Sequence, residues 1–416
     1  MGQTNVELVV IGAGAAGLAA TKTAVELGIH VIAFEAMDRI GGRAFTRMGP
    51  FGFPWDAGCL WLHSASANAF TAFAGGIGFR YQENPEPWSI WVGNRRSTDR
   101  ENAEIDAFLE DVYIAAMECG DRGIDVAIGE VADTANPWID VLRLESWTDW
   151  GVDIDAVSTL DVARYRDTDE DWPVIDGYGA LVARVAGPLP IALSTPVETI
   201  DWTQDGVRVT TSNGTLAAAM AIVTVSTGVL ADGLIAFDPP LPIWKQEAFA
   251  AAPLGRADKV ALMLDPGALE GVPEQNLGVP IASGAMISMR VRPFGRPLVD
   301  CYLAGPPGAE LAAAGEPAMI AAAVDAMVSV FGAKMRQRVV NAATSNWANE
   351  RFIRGAYSAA SPGHAHRRGD LVTPVGDRLL WAGEATSPEF FSTCHGAWES
   401  GVAAADVAAD VVKRHR

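Results

Sequence analysis

Residues Glu7 to Glu35 read ELVVIGAGAAGLAATKTAVELGIHVIAFE. Glu7–Ile11 is a short apolar run of the buried-strand kind. It opens directly onto Gly12-Ala13-Gly14-Ala15-Ala16-Gly17, and the alanine-rich stretch from about Ala15 to Leu27 predicts a helix that Gly28 stops. His30–Phe34 reads as a second strand, and Glu35 ends it. Strand, glycine turn, helix, strand and acid, in that order, make a dinucleotide-binding unit. Gly12 makes the tight turn, and Gly14 lets the backbone approach a pyrophosphate. Gly17 lets helix and strand pack closely, which aims the free N–H groups of the helix start at the phosphates. Glu35, 18 residues beyond Gly17, is placed to bind a ribose 2′-hydroxyl and argues against a 2′-phosphorylated nucleotide.

This unit serves NAD and FAD alike. The segment Arg39-Ile40-Gly41-Gly42-Arg43, close behind the acid, separates them. Glycines permit close approach and arginine neutralises phosphate charge, whereas a bare surface turn is the plain alternative. The segment resembles the second glycine motif of the flavin family that includes amine oxidases and phytoene desaturases. The resemblance implies that Gly42 and Arg43 lie along the FAD diphosphate.

Three later segments sharpen the resemblance toward flavin-containing amine oxidases. Asp56-Ala57-Gly58-Cys59-Leu60-Trp61-Leu62-His63, followed by Asn68, resembles the DxGAxWxHG segment of polyamine oxidases. It implies that Leu60 and Trp61 run beside the flavin ring and that His63 lies near the substrate amine. Cys59 replaces the usual alanine and Ser64 the glycine. On its own, a lone histidine reads as a structural residue. Mid-chain, Pro196–Asp201 (PVETID), the alternating run Val207–Thr211 and Ala221–Leu230 (AIVTVSTGVL) read as strands, with turns at Gly206 and Asn213-Gly214. The resemblance returns them to the cofactor domain, with Val197 contacting the adenine through its backbone. Lys259 in LGRADKV stands where many family members carry a lysine bonded through a water to flavin N5; alone it reads as a solvated strand-edge lysine.

At the C-terminal end, Asn346-Trp347, Arg354–Ser358 (RGAYS) and Pro362-Gly363 are similar to the family's W…GxYS…PG segment. Leu379–Thr386 (LLWAGEAT) reads as a strand feeding a flavin-binding turn, and Thr393–Gly401 (TCHGAWESG) opens a helix to about Val412. N–H groups at that helix start can support negative charge on the flavin's pyrimidine end. The implied cofactor contacts are Trp347, Gly383, Glu384 and Thr393, with Tyr357 in the site. Monoamine oxidases attach FAD through a cysteine just before the motif tyrosine; Ala356 stands there, so non-covalent FAD is expected. They also cage the amine between two tyrosines, of which Tyr357 keeps one while Thr393 takes the second place, as in polyamine oxidases. Phe390 and Phe391 read either as a replacement apolar wall of the substrate pocket or as packing.

The implied activity is amine oxidation, with catalytic candidates Lys259, His63 and Tyr357. Hydride passes from the amine α-carbon to flavin N5, the imine hydrolyses, and molecular oxygen reoxidises the flavin to give hydrogen peroxide. The WLH segment and Thr393 favour a polyamine such as spermine, spermidine or an acetylated form. A primary or secondary monoamine is the alternative substrate, and carotenoid-desaturase-like C–C oxidation is an alternative reaction. A methyl-lysine demethylase is set aside for want of its recognition domain and helical insert. Asp169-Glu170-Asp171 reads as a solvated acidic loop or as the seat of a distal ammonium.

Composition bounds the rest. The chain has 416 residues, 49% of them apolar and 20% charged, as in a packed globular protein of two or three domains. A net charge of −20 makes nucleic acid an unsuitable partner and suits a small cationic substrate, or simply solubility. No basic region precedes the first apolar run, and the stretch Ala217–Val229 holds Thr224, Ser226, Thr227 and Gly228, so neither a secretory signal nor a membrane span is expected. Four cysteines show neither metal-ligand nor disulfide spacing, which makes a reduced cytoplasmic setting, with no metal, the default. The cofactor motifs fall at residues 1–75, 190–265 and 355–416, leaving 76–189 and 266–354 for a substrate domain. The expected fold class is α/β: a two-domain amine-oxidase fold, with a Rossmann-like FAD domain built from discontinuous segments and a mixed α+β substrate domain.

Overall fold

The structure, a computed structural model, describes residues 6–203, 206–281 and 283–415. Every residue from Leu8 to Ile11 in the first strand, Val6–Ile11, is buried. Leu8 and Val10 enter a core of small residues contributed by the helices Ala15–Glu26 and Cys394–His415. Val9 and Ile11 enter a second core with Ile200, Val209, Phe249 and Trp381. A strand covered on both faces has no reason to alternate, which is why it reads as an unbroken apolar run.

Among the described residues this strand lies inside an eight-stranded sheet, parallel to Val31–Phe34 on one side and to the second half of Gly214–Val223 on the other. The first half of Gly214–Val223 turns back on Val207–Thr211 as an antiparallel hairpin, and Leu379–Trp381 pairs in parallel with its end. Segments more than 150 residues apart in sequence thus close one sheet. The last helix packs along the first: a Cβ on Gly401 would sit 2.1 Å from the Ala16 carbonyl oxygen, so only glycine permits the approach.

A seven-stranded sheet joins Ala257–Leu264, Leu298–Ala304, Met286–Val291, Gln275–Pro280 and Val339–Thr344 to Trp88–Val92 and Arg95–Arg96. Its register separates two faces. Val260, Cys301, Met289 and Leu277 form one cross-strand row, buried with residues of the helices Gly305–Ala314 and Glu316–Phe331. Lys259, Tyr302, Ser288 and Gly278 form the neighbouring row on the opposite face, followed by Ala261, Asp300, Arg290 and Asn276. One face is therefore a core and the other a polar floor. The strand Ala257–Leu264, placed by sequence with the cofactor block, belongs to this second sheet, because Val260 and Leu262 are committed to its helix-covered core.

The remaining insert is helical, with Asp99–Asp121, Ile139–Asp149 and Thr159–Arg164. It is fastened to the C-terminal block by a buried bidentate ion pair: Arg368 Nε and Nη2 donate to Asp161 at 2.7 and 2.6 Å. No helix among the described residues is long and apolar enough to cross a membrane.

Candidate active site

The two glycine motifs form one cradle. Gly12 has a φ of +103°, and a Cβ on Gly17 would stand 1.9 Å from the Gly12 carbonyl oxygen, so neither position admits a side chain. Gly41 N–H donates to the Ala13 carbonyl at 2.8 Å, and a Cβ on Gly42 would lie 3.2 Å from Gly14 Cα. Two stretches of bare backbone therefore lie directly against each other. The helix Ala15–Glu26 has no side-chain cap at its start, which leaves its first N–H groups for an anion. Glu35 is buried beside them, accepting from Ala13 N–H at 2.6 Å and Met37 N–H at 2.8 Å. Burial lifts its pKa above the usual range against the pull of those donors. Thr195 N–H donates to the Glu35 carbonyl at 2.8 Å, which brings the start of Val197–Asp201 beside the acid. This cradle fits the adenosine diphosphate half of FAD.

Beyond the cradle, chain-distant segments meet around Asp56–His63. Lys259 is buried, not solvated, and its Nζ donates to the carbonyls of Asp56 at 3.1 Å and Gly58 at 2.6 Å. Burial pushes its pKa down, opposed by Asp300 and Asp56. A Cβ on Gly58 would meet the Arg43 carbonyl at 1.7 Å, and Trp347 donates its indole N–H to the Ala57 carbonyl at 3.1 Å. Arg43 reaches the C-terminal block, pairing with Glu384 at 3.0 Å and donating to the Ala356 carbonyl. The other Glu384 oxygen accepts from Ser358 at 2.7 Å and from Ser392 N–H at 3.0 Å. Gly383 N–H donates to Ser400 Oγ at 2.9 Å, joining that turn to the last helix. Leu60 is buried, and Trp61 lies under the guanidinium of Arg290, 4.9 Å from its ring centre.

His63 stands where this segment meets a cleft. Its Nδ1 pairs with Asp171 at 2.8 Å, and both side chains are nearly half exposed. Enclosure of the ring opposes its charge, but Asp171, with Asp149 and Asp167 beyond, holds its pKa above the ordinary value. Asp149 and Glu145 come from successive turns of the helix Ile139–Asp149. Solvent reaches Asp149 within the cleft, yet surrounding protein lifts its pKa to about 7, reinforced by Asp171 and Asp167 against His63. Burial and Asp149 lift Glu145 to about 8. Tyr357 meets Tyr302 hydroxyl to hydroxyl at 3.1 Å and donates to the Thr148 carbonyl at the end of the same helix.

Sequence patterns miss Tyr302, Asp149, Glu145 and His395. Tyr302 is the direct cross-strand neighbour of Lys259, a register that no local pattern reveals. His395 is signalled only by its place in the TCHGA motif; it is buried, its Nδ1 is 3.1 Å from Asn68 Nδ2, and burial with nearby His63 pushes its pKa to about 3. The Thr393 hydroxyl is engaged at the last helix's start, accepting from Gly396 N–H at 3.0 Å and donating to the Phe390 carbonyl at 2.7 Å. Phe391 is fully enclosed by Trp150, Tyr165 and Arg368, which makes it a packing residue. Phe390 is buried against His395, its ring centre 4.6 Å away. Glu170 accepts from Ser66 N–H at 3.1 Å, so within the 169–171 run only Asp171 pairs with His63.

Known proteins share this organisation. The chain is 27% identical to polyamine oxidase 2 of Arabidopsis thaliana, over 96% of its own length and 87% of that protein. It is likewise 27% identical to lysine-specific histone demethylase 1 homolog 1 of the same plant, over 95% of this chain but 51% of the other. Cyclohexylamine oxidase from Brevibacterium oxydans IH-35A superposes with a TM-score of 0.82 at 22% identity, covering 99% of this chain and all of that one. Putrescine oxidase bound to putrescine gives 0.79 at 19%, with the same coverage. The family profile described as flavin containing amine oxidoreductase matches residues 15–122 and 147–409. A profile that spans most of the chain, on the mixed α/β fold read from its glycine motifs, makes this protein a member of the flavin-containing amine oxidoreductases, an amine-oxidising enzyme with FAD as its cofactor.

Proposed function

We propose that the substrate is a polyamine such as spermine, spermidine or an acetylated form, and that the acidic wall beside His63 selects it. The observation that carries this reading is the convergence of Glu145, Asp149, Asp167 and Asp171 on the side of the cleft where His63 and Tyr357 stand. Carboxyls lifted to about 7 and 8 are carboxyls that a second ammonium would relieve. A monoamine leaves that repulsion in place.

Bound FAD supplies the two-electron acceptor that takes hydride from the amine α-carbon. The chain supplies position and proton control. His63, fixed on Asp171 through Nδ1, keeps Nε2 for the substrate nitrogen, where it holds or releases a proton. Tyr357 and Tyr302 form one wall of the site. Lys259 clamps the Asp56–Gly58 main chain and carries its ammonium on the polar floor of the seven-stranded sheet, as the proton-holding group beside the flavin. The imine product hydrolyses, and molecular oxygen takes the electrons to give hydrogen peroxide. In this reading the eight-stranded sheet with the 355–416 block carries FAD, and the seven-stranded sheet with the helical insert carries the substrate. The four free thiols fit a reducing compartment such as the cytoplasm. With alanine at 356, FAD is held without a covalent bond, so acid precipitation should release all yellow colour to the supernatant.

A panel of monoamines, diamines and polyamines, read by anaerobic bleaching of the flavin and by peroxide release, tests the reading. At least tenfold higher kcat/KM for polyamines than for monoamines of equal chain length is expected. Equal values would return the substrate to the monoamines, and bleaching by none would set the reading aside.

A further inference from the structure

Cys59 and Cys394 come from opposite ends of the chain and meet beside the candidate flavin site. Cys59 belongs to the Asp56–His63 segment whose main chain Lys259 tethers, and Cys394 is the first residue of the last helix. Both are partly buried against the same core. The Cys59 S–H is paired with the Cys394 sulfur. The buried Tyr178 hydroxyl lies nearby, close to Asn68 as well as to Cys394. The Cys59 S–H and the start of a 22-residue helix therefore converge on the Cys394 sulfur, an arrangement that supports negative charge as it develops there. The other two cysteines are elsewhere: Cys119 on the helix Asp99–Asp121 and Cys301 inside the seven-stranded sheet.

We infer that Cys59 and Cys394 form an oxidative modification site, closed to a disulfide by hydrogen peroxide. The Cys394 sulfur attacks one peroxide oxygen, the O–O bond breaks, one water leaves and a sulfenic acid remains. The Cys59 thiol then attacks the Cys394 sulfur, an S–S bond forms and the second water leaves. Two thiols lose two electrons and two protons, and one peroxide becomes two waters. Cys59 suits the second step: its hydrogen bond to Cys394 and its burial hold its pKa well above the usual thiol range, which makes it the poorer first nucleophile. The cross-link would pin the Asp56–His63 segment to the start of the last helix, two elements flanking the candidate flavin site, so that accumulating product slows its own formation. The amine-oxidase reading enters only as the source of peroxide.

The holoenzyme, kept free of amine, is titrated with hydrogen peroxide, alkylated and digested without reductant. A peptide pair joined through Cys59 and Cys394 should grow with peroxide, free thiols in denaturant should fall from four toward two, and dithiothreitol should restore both. In Cys59→Ser the cross-link should vanish and dimedone should label Cys394. Retention of both thiols while Cys119 oxidises, or oxidation of Cys394 to sulfinic acid in the wild type with no joined peptide, would overturn the inference. Because peroxide is added directly, a failed amine panel leaves these outcomes standing.

Discussion

At the cofactor cradle the Glu35 carboxylate is held by two main-chain N–H groups, whereas the Asp149 carboxyl in the cleft is lifted by the protein enclosing it and, among the described residues, accepts no main-chain tether. Its other influences are side chains, His63, Asp171 and Asp167 among them. Cradle chemistry is done by backbone, and its side chains are mostly absences: Gly12, Gly14, Gly17 and Gly42. Cleft chemistry is done by side-chain identity on elements that need only approximate placement. The first region therefore admits no side chain at Gly12 or Gly17 but serves any amine. The second tolerates reshaping, and each change in charge there redefines the substrate.

The largest effect should follow from touching the cradle's shape. Gly17→Ala puts a methyl 1.9 Å from a backbone oxygen, and we expect a loss of more than about 4 kcal/mol with little retained flavin, read from the absorbance ratio and a urea melt. A variant with full flavin would show that the cradle flexes as the cleft does. Next is the joint between the regions: Arg368→Met leaves the fully buried Asp161 without its cation and should cost about 3–5 kcal/mol in the same melt. A small cost with altered substrate preference instead would place the pair in the cleft's chemistry.

Cleft variants should fold. His63→Ala is expected to slow anaerobic flavin reduction by roughly 10²-fold with unchanged flavin content; wild-type traces across pH would return His63 to a structural role. Asp149→Asn has the smallest effect and the most specific. It should lower kcat/KM for a diamine by about fivefold, the size of an exposed ion pair near 1 kcal/mol, and leave a monoamine unchanged. The pH sign follows from a carboxyl lifted to about 7 in the fold against about 4 unfolded. Between those values the folded chain holds the extra proton, and the stability that it lends is lost as pH rises through 7. The variant without amine should therefore melt above the wild type at pH 8 and with it at pH 4. No pH-dependent difference would remove Asp149 from the acidic wall.

The same contrast explains what was legible from sequence. The cradle is written in consecutive residues, because a tight turn, a close approach and an acid at a strand end are local demands. The helices expected from about Ala15 to Leu27 and from the TCHGA motif to about Val412 stand at Ala15–Glu26 and Cys394–His415, since composition and a glycine stop are local too. Tyr302 and Asp149 were not legible, because cross-strand register and a helix end meeting a distant tyrosine depend on the closed fold. Thr393 matched a family position, but its hydroxyl is spent on its own helix start, a contact that the motif does not display.

Gly214–Val223 pairs early in the chain with Val6–Ile11 and late with Leu379–Trp381, and Gly401 lets the last helix lie against Ala16. During synthesis, a nascent chain that has already made both glycine motifs still lacks the strand and helix that brace them. Such non-local closure is slow compared with local pairing. Cofactor capture should thus be a late event on the ribosome, gated by the emergence of residues beyond 379, and ribosome-bound chains stalled before that point should emerge without yellow colour.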